Sequence, residues 1–271
     1  MWRYVWVAVA LVVPVFQAHE SASAQTQQAP GAKIWMGRDA EFEEFLRTAP
    51  IERSEGTGVG VLAPRHAFFK PGGLASGAAI KQIKPGKRDG FFESYKSEIA
   101  SYKLDRLLDL QMVPTTVERI EGRDPASAML WIEGTRMLSE VQKKGLKDPD
   151  PARWNRNLHR AQVFDDLAGN LDPNQGNWLF DDQWNFYKID CSRCFTDTMT
   201  MPHDVKKVIR RIDRPFFERL KALDRDTVRR EIGSLLTENN ALPSLFRRRD
   251  SIVKAFEDMA KQNGEAAVFE P

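Results

Sequence analysis

The sequence is short of several features by which large classes of protein are recognised. Its formal net charge is only +2, so it lacks the basic excess of a nucleic-acid-binding surface, and we expect no nucleic-acid partner. No segment repeats with a fixed period, and there is no Asn-x-Ser/Thr glycosylation sequon. What remains is 42% hydrophobic and 29% charged residues in a chain of 271. That is enough for one bilobal domain or two small ones with a proper core.

Long apolar runs are also missing, apart from one near the N terminus that is too short for a comfortable membrane span. Arg3 comes before this run, which covers residues 4–16, and the small residues 22–24 stand just before Gln25. This order of charged, apolar and small residues predicts a secretory signal peptide over residues 1–24. The alternative is an uncleaved anchor.

The predicted signal places the folded part of the chain. In either case we expect that part to lie outside the cytoplasm, in the periplasm or secreted, and cleavage would leave no stable membrane span. We also expect a flexible linker over residues 25–38, because its first part is rich in Gln, Ala and Pro.

Cysteine is scarce, with only Cys191 and Cys194 in the chain. In an exported protein a Cys-x-x-Cys pair can close into a disulfide, and a redox-active pair is conceivable. A thioredoxin-type site would need the pair at a helix N-terminus within a βαβ unit, which the surrounding pattern does not indicate. Zinc normally needs four ligands, and only His203 lies nearby in the sequence. We therefore expect two structural thiols or one local disulfide.

The most informative stretch covers residues 170–191. Asp172 lies in a turn rich in Pro, Asn and Gly, and Asn177 follows it with the spacing Asp-x-x-x-x-Asn. Two short apolar runs then predict two strands joined by a turn, the second of which ends at Asp190. Phosphoryl transfer uses such a set, in which one carboxylate orients a hydroxyl while a carboxamide and a second carboxylate hold a metal ion.

Asp and Asn are also common turn residues, so this stretch by itself fits a plain hairpin with capping side chains equally well. The preceding chain has to decide between the two. A glycine-rich turn with Gly56, Gly58 and Gly60 lies between two strand candidates, where backbone N–H groups can approach nucleotide phosphates. This signal is weak, because any glycine-rich hairpin contains it.

A lysine and a glutamate follow the glycine turn. Lys81 lies on a strand candidate at residues 78–83, and Glu98 lies in the first half of an amphipathic helix expected over residues 92–109. By itself Lys81 fits a solvated surface side chain. With Glu98 on the next helix, the two can pair and position the lysine for nucleotide phosphates, as in kinases.

Several segments resemble known kinase families. Residues 97–114 are similar to the αC-helix segment of the secretory-pathway kinases, the Golgi casein kinase group. Residues 163–172 together with 189–195 resemble the catalytic segments of the same group. Residues 170–179 are also similar to the catalytic loop of type II phosphatidylinositol 4-kinases. The resemblance covers roughly residues 51–195.

The resemblance implies a two-lobed, protein-kinase-like α+β fold that uses ATP with Mg²⁺ or Mn²⁺. Position by position, it implies that Lys81 and Glu98 are the nucleotide-positioning pair. It also implies that Asp172 is the catalytic carboxylate and that Asn177 and Asp190 are the metal ligands. The function that follows is an exported, metal-dependent ATP phosphotransferase acting on a protein or glycan hydroxyl, with a lipid kinase of the phosphoinositide type as an alternative.

Two positions depart from the family pattern. Pro173 stands where these families usually have a basic residue after the catalytic Asp, and Cys191 replaces the Asn or Phe that usually follows the metal-binding Asp. These changes leave metal chemistry available but argue against efficient turnover. A further alternative is therefore a catalytically weak or inactive pseudokinase that serves as a binding module.

The domain limits follow from the same pattern. We expect a kinase-like domain over residues 39–264, with a strand-rich N-lobe, a helical C-lobe, and a tail at residues 265–271. Residues 204–264 carry apolar residues at helical spacing. The basic cluster at residues 247–249 fits a solvated helix face, or alternatively a contact with an anionic substrate. The two lobes are expected at about residues 51–133 and 150–264.

Overall fold

In the computed structural model, which describes residues 32–58, 64–203, 205 and 207–271, the first half of the domain is built on a five-stranded antiparallel sheet. Its elements in chain order are helix α1 (Asp39–Thr48), strands β1 (Ile51–Gly56), β2 (Arg65–Phe69), β3 (Gly77–Lys81), β4 (Gly86–Arg88) and β5 (Phe91–Glu93), helix α2 (Tyr95–Leu107), and strands β6 (Thr116–Glu121) and β7 (Asp124–Leu130). The sheet has the order β1-β2-β3-β7-β6, and β4 and β5 form a separate hairpin.

Both helices of this lobe pack by an apolar face. Phe42 and Leu46 are one helical turn apart on α1 and are buried in the same apolar cluster as Ala67, Ile80 and Ala128 of the sheet. Helix α2 contacts β6 and β7, and its start is fixed by the side chain of Ser94, which accepts a hydrogen bond from the N–H of Lys96. The last turn of α2 buries Leu104 in the core of the second lobe. Helix α2 therefore belongs to both lobes.

The second lobe is mainly helical. Its elements in chain order are β8 (Arg136–Met137), α3 (Leu138–Lys143), α4 (Pro151–Ala168), a 3₁₀ turn (Gln175–Asn177), β9 (Trp178–Phe180), β10 (Phe186–Lys188), β11 (Ile212–Asp213), α5 (Arg214–Ala222), α6 (Arg225–Ile232), a second 3₁₀ turn (Gly233–Leu235), α7 (Ala241–Asn263), α8 (Glu265–Val268) and β12 (Phe269–Glu270). Strands β8, β9 and β10 form a small antiparallel sheet. The core of this lobe buries Phe164, Phe216 and Phe256, which come from α4, α5 and α7.

Helix α4 leads directly into the candidate catalytic loop. Asp150 caps its start by accepting hydrogen bonds from the N–H groups of Ala152 and Arg153. Gly169 ends it in the left-handed conformation with φ 62°, and an added Cβ there would lie 2.7 Å from the Arg248 side chain. The position therefore requires glycine both for its backbone and for its space.

The predicted α+β architecture, with a strand-rich first lobe and a helical second lobe, is confirmed. Some limits are corrected. Part of the region at residues 204–264 is not helical, because β11 precedes α5 and pairs in parallel with β12. This pairing, together with the buried side chains of Val268 and Phe269, makes the predicted tail at residues 265–271 part of the fold.

The linker predicted over residues 25–38 is too long at its C-terminal end. Trp35 is fully buried, and its Nε1 donates a hydrogen bond of 2.9 Å to Oε1 of Gln111. Trp35 therefore anchors residues 32–38 to the domain, while residues 25–31 and the predicted signal peptide at 1–24 lie outside the described residues. In the part of the chain that is described, no helix is long and apolar enough to cross a membrane.

Candidate active site

Lys81 is the centre of a cluster of three charged side chains. It ends β3, where Ile80 is buried in the sheet core and Lys81, the next residue, points to the opposite face. Its Nζ donates hydrogen bonds to Oε1 of Glu98 at 2.6 Å and to Oδ1 of Asp190 at 2.7 Å. The ion pair that the sequence predicts between Lys81 and Glu98 is present, and Asp190 joins it.

Burial and charge together set the protonation of this cluster. The exposed fraction is 12% for the Lys81 side chain and 1% for that of Glu98. Burial alone would lower the pKa of Lys81, but the two carboxylates outweigh it and raise that pKa above its ordinary value. Burial alone would raise the pKa of Asp190, whereas the Lys81 ammonium holds it below its ordinary value. Near neutral pH, Lys81 is therefore a cation and Asp190 an anion.

A short loop at residues 190–195 follows β10 and is fastened to α2. Cys191 and Cys194 form a disulfide, one of the two states expected from the sequence. The N–H of Cys191 donates to Oε2 of Glu98 at 3.1 Å, and the hydroxyl of Ser97 donates to the carbonyl of Cys194 at 3.2 Å. The helix that carries Glu98 thus holds the loop that carries Asp190.

The β9–β10 hairpin brings Asn177 and Asp190 to the same end of the site. Trp178 of β9 pairs with Lys188 of β10, and one step further the N–H of Ile189 donates to the carbonyl of Asn177 at 2.9 Å. Asp190 follows with φ 58°, a left-handed conformation that Asp and Asn adopt more readily than most residues. Its side chain is 37% exposed and is therefore open to a ligand.

Asp172 is supported by buried polar groups behind its loop. Its N–H donates to Oδ1 of Asn170 at 3.0 Å, and Nδ2 of Asn170 donates to Oδ1 of Asp165 at 2.7 Å. Burial would raise the pKa of Asp165, but the charge of Lys188, 2.7 Å away, holds it below its ordinary value. The Asp172 side chain itself is 46% exposed. The loop therefore presents this carboxylate to solvent from a rigid base.

The glycines of the predicted phosphate turn are placed only in part. Gly56 ends β1 and pairs with Arg65, which in turn pairs with the residue before Lys81. Gly56 therefore lies at the same end of the sheet as Lys81. Gly58 has φ 65°, a conformation that favours glycine, and Gly60 lies outside the described residues.

The central residue of the basic cluster at 247–249 neither lies on a solvated helix face nor is available to an anionic substrate. Arg248 is fully buried, and its guanidinium donates to the carbonyls of Leu167, Thr196 and Thr198. Burial lowers the pKa of Arg248 to about 10, so it stays charged at neutral pH. It connects α7 to the end of α4 and to the segment after the disulfide loop.

A cavity of about 450 Å³ lies beside the segment between the lobes, away from the charged cluster. It is lined by residues 32–35, by the strand-to-strand turn at 74–76, by residues 131–134 and by the β9–β10 turn. None of the predicted catalytic, nucleotide-binding or metal-binding side chains lines it.

Sequence reasoning assigned no role to Arg193. Its Nη1 donates to Oδ2 of Asp172 at 3.2 Å, and its Nη2 lies 2.7 Å from Oε1 of Glu93. The loop between Asp172 and Asn177 contains no basic residue, and this absence could have indicated that a cation reaches Asp172 from another part of the chain. The buried pair Asp165–Lys188 was missed because its residues lie far apart in the sequence.

Comparisons with known proteins identify the fold. No family model matches the chain, and neither does any curated protein. Among solved structures, the Golgi casein kinase with Mn and ADP bound is 14% identical, with a TM-score of 0.64, covering 85% of this chain and 78% of that one. A hydra Fam20 structure with sugar is 14% identical, with a TM-score of 0.62, covering 85% of this chain and 91% of that one.

A bacterial structure matches as well. The Helicobacter pylori proinflammatory kinase CtkA is 14% identical, with a TM-score of 0.54, covering 80% of this chain and 98% of that one. The chain therefore has a protein-kinase-like fold that resembles the Fam20 kinases. This confirms, at the level of the fold, the resemblance to the Golgi casein kinase group.

Proposed function

We propose that the protein is an exported, metal-dependent phosphotransferase that moves the γ-phosphoryl group of ATP to a hydroxyl of a protein or glycan. The observation that carries the proposal is the contact of Lys81 with both Glu98 and Asp190. This contact joins the lysine at the end of β3, the glutamate of α2 and the aspartate that follows β10 in one cluster within a kinase-like fold. Kinases need this set in place before they position ATP.

The residues at the end of the β9–β10 hairpin fit Mg²⁺ or Mn²⁺. Within the described residues, no three His, Cys, Asp or Glu side chains come close enough to hold a metal ion. Asp190 and Asn177 would instead supply a carboxylate and a carboxamide oxygen, with phosphate oxygens and water completing the shell. The ion would neutralise charge on the phosphates. Support comes from the structurally similar Golgi casein kinase, whose structure contains Mn and ADP.

The remaining side chains divide the chemical work. Lys81 provides a fixed positive charge for the nucleotide phosphates, held by Glu98. Asp172 accepts the proton of the acceptor hydroxyl while the acceptor oxygen forms its bond to phosphorus and the bond from phosphorus to the leaving ADP oxygen breaks. The exposure of Asp172 fits a carboxylate that meets an acceptor arriving from solvent.

One observation favours the second candidate, a pseudokinase that serves as a binding module. Asp172 is paired with Arg193, so one oxygen of the candidate general base is already occupied before any acceptor arrives. A pseudokinase would retain the fold and the Lys81 cluster but would transfer no phosphate.

The experiment that separates the two candidates is incorporation of radiolabelled γ-phosphate by the purified chain. Protein, glycan and phosphoinositide acceptors are tested in parallel with Mg²⁺ and with Mn²⁺. We expect label in a protein or glycan acceptor, and loss of label in Asp172→Asn. Label in the lipid alone would assign the lipid-kinase alternative, and metal-dependent ATP binding without any label would assign the pseudokinase.

A further inference from the structure

The candidate catalytic loop contains no positive charge of its own. Residues 172–177 read Asp-Pro-Asn-Gln-Gly-Asn, with Pro173 directly after the candidate catalytic carboxylate. The phosphoryl group in transfer carries negative charge on three equatorial oxygens, and catalysis depends on cations placed around them. Lys81 is the cation beside Glu98 and Asp190, and the loop itself places no cation beside Asp172.

Arg193 reaches this place from the disulfide loop. Its side chain is only 15% exposed, and its Nη1 lies 3.2 Å from Oδ2 of Asp172. On its other edge, Nε and Nη2 each lie 2.7 Å from Oε1 of Glu93, which is 1% exposed. The guanidinium carbon also lies 4.4 Å from the ring centroid of Phe91. Glu93 and Phe91 thus fix the plane of the guanidinium and leave the Nη1 edge facing Asp172.

The backbone fixes the position of Arg193 as well. The N–H of Ser94, at the start of α2, donates to the carbonyl of Ser192 at 3.0 Å, and the N–H of Leu171 donates to the carbonyl of Arg193 at 3.3 Å. The disulfide between the residues on either side of this pair closes the loop. Arg193 is therefore held in place without any ligand, as electrostatic catalysis requires.

We propose that Arg193 contacts the phosphoryl group in transfer and supplies the cation that the catalytic loop lacks. This proposal rests on the proposed phosphotransferase function. Among the described residues the Nη1 edge contacts Asp172, and it would be shared between that carboxylate and an oxygen of the γ-phosphate. Arg193 forms no covalent bond and transfers no proton, so the balance of the reaction is unchanged. Asp172 and Arg193 then act on the two partners of the reaction, the hydroxyl and the phosphate.

The test compares Arg193→Met with the wild type in two assays. In the binding assay, we expect Arg193→Met to bind ADP with Mn²⁺ within about twofold of wild type but to lose the added affinity for a non-hydrolysable ATP analogue, because only the analogue has a γ-phosphate. In the transfer assay, we expect kcat to fall by about 10²-fold or more, with the KM for the acceptor unchanged. Arg193→Lys keeps the positive charge but loses the paired N–H donors of the guanidinium, so its kcat should lie between those of the wild type and Arg193→Met.

Arg160→Met is the matched control. Arg160 is 21% exposed and makes two hydrogen bonds of 2.7 Å to Asp213 on β11. Its replacement therefore also breaks an arginine–carboxylate pair, but one that lies outside the candidate site. We expect it to leave nucleotide discrimination and kcat unchanged. If Arg193→Met fails to fold because Glu93 is left buried without a partner, the double variant Glu93→Gln, Arg193→Met removes that stranded charge and is measured instead.

The possible outcomes separate this proposal from the proposed function. Equal weakening of ADP and analogue binding by Arg193→Met would make Arg193 a structural clamp and overturn its phosphate role. An unchanged kcat in Arg193→Met, with an active wild type, would overturn the proposal but leave the proposed function standing. A wild type that binds nucleotide but transfers no phosphate, or binds none, would remove the phosphotransferase function and this proposal with it.

Discussion

Lys81 is the residue on which the candidate site depends most. Its ammonium pairs with two carboxylates, Glu98 and Asp190, and Glu98 is buried. The burial decides how much stability the protein would lose with Lys81. A pair that was partly solvated could be lost with little effect on folding. Because Glu98 is 1% exposed, removing Lys81 would leave an uncompensated charge inside the protein.

We therefore expect Lys81→Met to lower the free energy of unfolding by about 3–5 kcal/mol as well as to impair nucleotide use. Denaturant unfolding followed by circular dichroism gives the value. Lys84→Met is the control, since Lys84 is 66% exposed in its pair with Asp124, and it should change the free energy by less than about 0.5 kcal/mol. Equal stability of Lys81→Met and Lys84→Met would contradict the buried pair.

Arg248 shows a limit of reading residues from their neighbours in the sequence. Three consecutive arginines predict a solvated surface, and the flanking members of the cluster are not buried. The central residue is buried because α7 places it against three backbone carbonyls that no local pattern identifies. Its partners come from the end of α4 and from the segment after the disulfide loop, which lie far away in the sequence.

Removing this guanidinium should be costly. In Arg248→Met the three carbonyls lose their donors inside the protein, so we expect a loss on the order of 3 kcal/mol or more in the free energy of unfolding. Arg247→Met, at the exposed neighbouring position, should stay within about 0.5 kcal/mol of wild type. Urea unfolding of both variants decides the matter, and similar values for the two would mean that residue 248 is solvated.

Among the larger elements, the loop at residues 190–195 is the part that the sequence describes least completely. The disulfide was one of two expected states for its cysteines. What could not be foreseen is that the loop contacts α2 through Glu98 and Ser97. Those contacts couple the helix to the loop that carries Asp190, so loosening the loop should disturb the Lys81 cluster.

We expect the double variant Cys191→Ala, Cys194→Ala to lose about 2 kcal/mol of stability, because the cross-link closes only a very short loop, and to bind nucleotide less tightly. Reduction of the wild type with a phosphine should have the same effect. The same reductant should leave the alanine variant unchanged, which serves as the control. A wild type whose melting temperature and nucleotide affinity survive complete reduction would show that the loop holds its shape without the disulfide.

Other elements differ in how well the sequence predicts them. The hairpin of β9 and β10 follows from two short apolar runs around a turn, and it forms as expected. Helix α4 does not follow from its pattern, because Asp165 and Asp166 are buried within it and interrupt the apolar face that would mark it as a helix. The buried charge of Asp165 is compensated by Lys188 from β10. This contact forms only when the helix and the strand pack together, so the local sequence does not predict it.

For the molecule as a whole, the two-lobed fold could be predicted because its parts occur in the order of a kinase. The ends of the domain could not. Trp35 lies in a stretch that reads as linker, and Phe269 in one that reads as tail, yet both are buried. Such short segments contain too few residues for a periodic pattern, so their burial depends on surfaces that exist only after the domain has folded.

Export is a prediction about the whole chain that the described residues do not address. If residues 1–24 are a signal peptide, the mature protein begins at Gln25, because small residues at positions 22 and 24 suit the peptidase. N-terminal sequencing of protein recovered from outside the cytoplasm should give Gln25. Recovery of a chain that still begins with Met1 would favour the uncleaved anchor.

The central claim is that Asp190 binds the nucleotide through a metal ion, whereas Asp172 meets only the acceptor. These roles predict different effects for the two variants. Removing the charge at Asp190 leaves phosphate repulsion uncompensated and should abolish metal-dependent binding. Removing it at Asp172 should spare binding and reduce turnover, since its interaction is made chiefly in the transition state.

The measurement is a thermal shift of wild type, Asp190→Asn and Asp172→Asn with ATP and Mg²⁺ or Mn²⁺. Asp182→Asn, in the exposed β9–β10 turn, is the control. A ligand at 100 times its Kd stabilises by about 2.7 kcal/mol, so we expect clear metal-dependent shifts in wild type, Asp172→Asn and Asp182→Asn, and none in Asp190→Asn. A wild type without a metal-dependent shift at millimolar ATP would contradict the kinase function, and an Asp190→Asn variant that shifts like wild type would place the metal elsewhere.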